Sequence, residues 1–130
     1  MKSLNEYIIE KILINKNSKL NKIKVETLIQ LKSIIWERYH NNNSFIDLTD
    51  IDISELDDLS GVFARLNKVE VIDISGWDTS NVTFMDDMFR KCAKLDVDLS
   101  NWDLTNIKDD FLKAGIVANS GITKNHYPKI

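Results

Sequence analysis

The sequence predicts an α+β solenoid: a short stack of about three strand-turn-helix units with an N-terminal helical cap. Three observations carry this. Sliding the chain against itself by 26 positions places Phe45-Ile46-Asp47-Leu48-Thr49 on Val71-Ile72-Asp73-Ile74-Ser75. A third copy follows at a spacing of 25, where Asp98-Leu99-Ser100 repeats Asp73-Ile74-Ser75 and Trp102-Asp103 repeats Trp77-Asp78. Charge also changes sign near residue 45. Residues 1–45 carry eight Lys or Arg and four Glu, whereas residues 46–130 carry nine Lys or Arg and sixteen acids, including all fourteen aspartates. A fixed period with apolar positions in register is the signature of stacked units that share one core. The composition shift marks where they begin.

Residues 1–44 form the predicted cap of two helices. Ser3-x-x-Glu6 ahead of Tyr7, Ile8 and Ile12 reads as a capping box. Asn15 to Asn21 is polar and reads as a loop. Val25 to His40 then places Leu28, Leu31, Ile35 and Tyr39 on one stripe with Trp36 beside it, and Asn41-Asn42-Asn43 ends the helix. Such a pair covers the core and strand edge that a first unit would otherwise expose. Its positive charge also makes it a candidate second binding surface.

The units lie near 45–70, 71–96 and 97–114. In the middle one, Val71 to Ser75 alternates like a strand, with Ile72 and Ile74 inward and Asp73 and Ser75 outward. Thr83 with Asp86 reads as a helix cap, and Asp86 and Asp87 suit a helix N-terminus. Val82, Met85, Met88, Phe89 and Cys92 then fall on one helical face. In the first unit Asp57 takes the cap position before Leu59, Val62, Phe63 and Leu66. The third departs: Lys108 replaces the cap, Asp110 stands where Met85 was, and Phe111-Leu112 is the apolar pair, which suits a terminal unit. Trp77 and Trp102 hold a fixed place in the period, so both are assigned to packing between units, with Met85, Met88, Phe89 and Cys92. Residues 115–130 read as an irregular closing segment without a function of their own.

The stretch ISGWDTSNVTFMDDMFRKCAKL resembles the repeat of the BspA-like leucine-rich-repeat family, roughly L-x-x-W-D-T-S-N-V-T-x-M-x-x-M-F-x-x-C-x-x-L. Trp77 to Thr83, Met85, Met88-Phe89, Cys92 and Leu95 carry the match, which extends more weakly over residues 45–112. The resemblance implies a leucine-rich-repeat-like unit and a parallel strand ladder. Many family members are secreted surface proteins. Here the N-terminal apolar residues are broken by Glu6, Glu10 and Lys11, unlike a signal peptide, so a cytoplasmic location is expected instead.

Catalytic readings find little support. A single cysteine excludes an internal disulfide and suits a reducing compartment. Cys92 falls on the apolar face of its unit, where a small hydrophobe belongs, so a nucleophile role with His40 or His126 as base is set aside. Gly occurs four times and builds no phosphate loop. An EF-hand loop begun at Asp50 would need Gly sixth and Glu twelfth, but Glu55 and Gly61 stand there. No apolar run approaches the ~20 residues of a membrane span. The expectation is therefore no enzyme, cofactor, metal or membrane.

The aspartates point to function. In a parallel ladder Asp47, Asp73 and Asp98 would form one column and Asp52, Asp78 and Asp103 another, on strands about 4.8 Å apart. Aligned carboxylates need hydrogen bonds or cations to offset their repulsion. One reading gives them to turn amides. The other makes an acidic strip that steers and holds a basic partner. The sequence thus predicts a non-catalytic intracellular protein-binding module. Its alternative is a small phage- or mobile-element-type inhibitor, anti-CRISPR-like, that occupies the basic groove of a nucleic-acid-handling defence enzyme. Abundant Ile, Asn and Lys suit an AT-rich bacterial or phage genome. The charge of the repeats disfavours direct RNA or DNA contact, which would fall to the basic residues 1–45.

Overall fold

The computed structural model describes residues 3–17, 22–107, 109 and 115–128. Helix α1, Leu4–Asn17, starts with reciprocal bonds: Glu6 N donates to Ser3 Oγ at 3.2 Å and Ser3 N to Glu6 Oε2 at 3.2 Å. The helix runs on through Asn17, into the stretch read as a loop; residues 18–21 lie outside the described ones. Among the described residues α1 packs against no other element, and Leu4, Tyr7, Ile8 and Ile9 are exposed.

The second helix begins later than the periodicity predicts. Ile23–Lys24 forms β1, parallel to β3, Ile51–Asp52, with Ile23 N bonded to Asp50 O at 2.8 Å and Val25 N to Asp52 O at 3.1 Å. Extended pairing suits the β-branched Ile23 and Val25, and Val25 is fully buried. Thr27 then caps α2, Leu28–Asn41, its Oγ1 accepting from Gln30 N at 3.1 Å. Leu31 and Ile35 fill the core, while Trp36 stays exposed.

Strand β2, Phe45–Asp47, pairs in parallel with β4, Val71–Asp73, and Phe45, Ile46 and Asp47 lie beside Val71, Ile72 and Asp73. The chains stay in contact further on. Leu59 N bonds to Phe84 O at 2.8 Å, Gly61 N to Asp86 O at 2.9 Å, Phe63 N to Met88 O at 3.0 Å and Arg65 N to Arg90 O at 2.7 Å.

These elements overturn the predicted solenoid. Among the described residues there are two α-helices, both ending before residue 42, and four short strands in two separate parallel sheets, with no stack of strand-turn-helix units. Residues 82–92, read as helical, form successive tight turns that continue to Leu95. Each is closed by a bond to the carbonyl three residues back: Val82 to Thr79, Met88 to Met85, Cys92 to Phe89 and Leu95 to Cys92. Asp87 and Lys91 have φ of 54° and 64°, which no right-handed helix accommodates. The predicted cap at Thr83 does not form either; its N and Oγ1 both bond to Asp57 O. Val97–Leu99 makes no strand, so the third copy adds no layer to the β2–β4 sheet. Lys108, Asp110, Phe111 and Leu112 lie outside the described residues.

The C-terminal segment docks where a third strand was expected to lead. Lys91 N bonds to Asn119 O at 2.8 Å, Gly121 N to Cys92 O at 3.0 Å and Leu99 N to His126 O at 2.9 Å. Ile116, Val117 and Ile122 join the one core cluster. At its centre Phe63 lies between Trp77 and Phe89, with ring centroids 5.8 and 5.3 Å away and planes nearly parallel.

Candidate functional site

Each aspartate of the two predicted columns closes a turn with the amide two residues on. Oδ1 of Asp47, Asp73 and Asp98 accepts from Thr49, Ser75 and Ser100 N at 2.9, 3.1 and 2.9 Å. Oδ1 of Asp52, Asp78 and Asp103 accepts from Ser54, Ser80 and Thr105 N at 2.9, 3.0 and 2.9 Å. The hydroxyls of Thr49 and Ser75 add bonds of 2.7 Å to Asp47 and Asp73. The local spelling Asp-x-Ser/Thr is what builds these Asx turns. Asp58 does the same with Ser60 N at 2.8 Å; the period did not single it out, though the same spelling marks it.

These bonds hold carboxylates in their charged form. Bonds from the Ser54, Ser80 and Ser100 side chains, then from their amides, lower the pKa of Asp52, Asp78 and Asp98. For Asp103 the Thr105 amide leads. The structure brings Asp47 directly beside Asp73 across the β2–β4 ladder, and Asp52 close enough to Asp78 to raise its pKa slightly against that trend. Asp98 is not laddered to Asp73; its charged neighbours are Asp96 and His126.

Met85, Met88, Phe89 and Cys92 are buried. The Cys92 thiol donates to Phe63 O at 2.9 Å, and burial pushes its pKa up to about 11, so it stays neutral near pH 7. His40 Nδ1 lies 2.9 Å from Trp36 O, and His126 pairs with Asp96. Among the described residues no three His, Cys, Asp or Glu side chains converge to hold a metal ion.

The two tryptophans part company. Trp77 is buried and its Nε1 donates to Leu48 O at 3.1 Å. Trp102 is half-buried beside a cleft of about 480 Å³, and its indole N–H makes no bond among the described residues. Two asparagines at equivalent places in the period tie neighbouring copies together: Asn81 Nδ2 donates to Ser54 O at 3.0 Å and Asn106 Nδ2 to Ser80 O.

A family model described as Mycoplasma protein of unknown function, DUF285, matches residues 30–114, from within α2 through the aspartate turns. The chain belongs to the DUF285 family. That family is related to the BspA-like repeat proteins. No curated protein and no solved structure matches this DUF285 chain. Its matched region holds all six column aspartates, all three tryptophans and the cleft beside β4 and Trp102. Among its described residues no helix is long and apolar enough to cross a membrane.

Proposed function

We propose that this DUF285 protein is a non-catalytic binding module that engages a protein partner through its aspartate face. The observation that supports it most is the placement of Asp47 beside Asp73 on adjoining strands, with Asp52 near Asp78. Each holds its Oδ1 in a turn, and the Ser54 and Ser80 bonds keep the Asp52 and Asp78 pKa values below the ordinary carboxylate range. Like charges at strand spacing repel, and a basic partner surface relieves that repulsion as it docks. The acidic excess of residues 46–130 extends the same field.

The test uses the intact chain as bait for a protein partner at several salt concentrations, against Asp→Asn variants at positions 47, 73 and 78. Asparagine keeps the Oδ1 acceptor and therefore the turn, but removes the charge; a lysine would break both. Capture should weaken as salt rises and fall about two- to fivefold per aspartate neutralised. Capture indifferent to salt and to all three changes would place the interface elsewhere.

A further inference from the structure

Among the described residues strand β4 pairs along one edge. Val71 N bonds to Ser44 O at 3.0 Å, and Asp73 O accepts from Leu48 N at 2.9 Å. In a parallel ladder the N–H and C=O of the intervening Ile72 therefore point away from β2. Beside it lies a cleft of about 480 Å³, lined by Ile72, Asp73 and Ser75 of the second copy and by Val97, Asp98 and Trp102 of the third. It exists because the third copy forms no strand against β4.

The chemistry of the walls is specific. Asp73 and Asp98 both line the cleft, one from β4 and one from the third copy. Oδ1 of each is held in its turn, and Oδ2 of each makes no bond among the described residues. Trp102 contributes an indole whose N–H makes no bond among the described residues, in contrast to the bonded Trp77. The chain's own cation already reaches the rim: Lys22 Nζ lies 3.7 Å from where a Cβ on Gly76 would be, and Gly76 lines the cleft.

The geometry points to a site for an arginine side chain carried on an extended segment of a partner protein. A guanidinium is planar, presents donors along two sides and lies flat on an indole, so it can meet both carboxylates while covering Trp102. A lysine ammonium is a point charge without that fork. The free edge at Ile72 offers the incoming backbone one donor and one acceptor, the start of strand addition. The site rests on the proposed role of the aspartate face and narrows it to one pocket and one side chain.

The probe is the capped tripeptide Ala-Arg-Ala, titrated into the full-length protein while the Trp102 indole and Ile72 amide signals are followed by NMR. Citrulline and lysine versions serve as comparisons. The arginine peptide should shift both signals saturably below about 5 mM, lysine should bind several-fold more weakly, and neutral citrulline should not bind. Asp73→Asn with Asp98→Asn should cost at least about tenfold while the Ser75 and Ser100 amide signals stay in place. No saturable shift, or citrulline binding as well as arginine, would overturn the site. If the peptide fails but Asp47→Asn and Asp78→Asn still weaken partner capture, the pocket falls and the binding face stands. If the peptide binds and no aspartate change alters capture, the pocket stands and the face falls.

Discussion

Arg38 grips Asp50 with a two-pronged hydrogen bond, Nη1 to Oδ1 at 2.6 Å and Nη2 to Oδ2 at 2.9 Å, and Nη1 also donates to Asp47 O at 2.8 Å. The fork fastens α2 to the turn between β2 and β3, at the edge of the aspartate face. Arg38→Lys keeps the charge but not the two parallel donors. It should cost about 1–2 kcal/mol in urea unfolding, and a double-mutant cycle with Asp50→Asn should show coupling.

The two tryptophans should respond differently to the same change. Trp77→Phe keeps most of the stacking on Phe63 but removes the indole donor to Leu48 O, which keeps the Ile51 amide at 3.2 Å, a loss of about 0.5–1.5 kcal/mol. Trp102→Phe deletes an N–H that has no bond among the described residues, and should stay within about 0.5 kcal/mol. Paired melting curves would show the gap.

Gly121 sets how closely the C-terminal segment docks. A Cβ there would lie 2.4 Å from Ala93 O and 2.8 Å from Leu95 O, both backbone atoms with little room to yield. Gly121→Ala should destabilise by about 1–3 kcal/mol and make residues 115–128 the first site of limited proteolysis. Gly115→Ala meets nothing within 4 Å and serves as the control.

The same segment should loosen at both ends of the pH scale. Asp96 bonds His126 Nδ1 at 2.9 Å and raises that imidazole's pKa above its ordinary 6.5. The Thr123 amide, then His126, lowers the Asp96 pKa below 3.8. The histidine's contribution is complete below pH 6.5 and is lost as pH rises through its raised value. The aspartate's contribution is complete above 3.8 and is lost as pH falls through its lowered value. Amide protection factors across residues 119–128, with the intrinsic pH dependence of exchange divided out, should be highest between those limits. His126→Ala should lower them at pH 6 and leave them unchanged at pH 9.

Part of this architecture could be read from the sequence. The 26-residue offset that aligns Phe45 with Val71 is also their pairing register. The apolar spacing of Val82, Met85, Met88, Phe89 and Cys92 marks a buried side but misleads about the backbone. Apolar residues three apart suit a run of tight turns as well as a helix, and only the positive φ at Asp87 and Lys91 separates them. Aspartate tolerates that conformation, so its presence is a faint signal; lysine gives none. The delayed start of α2 was hidden because Val25 continues the helical stripe, whereas Ile23 and Val25 gain more as a paired strand. The cleft was not legible: it depends on a strand at Val97 failing to form, while the sequence there repeats one that does.

The constant offset also governs how the chain reaches this shape. Phe45 with Val71 and Asp58 with Phe84 are each 26 residues apart, so every such contact demands a long loop before any reward. Once the first is closed, the others come within reach at little extra entropic cost. Assembly of residues 45–92 should therefore proceed as a late, cooperative zippering on the order of milliseconds to seconds, with α2 free to form well before it.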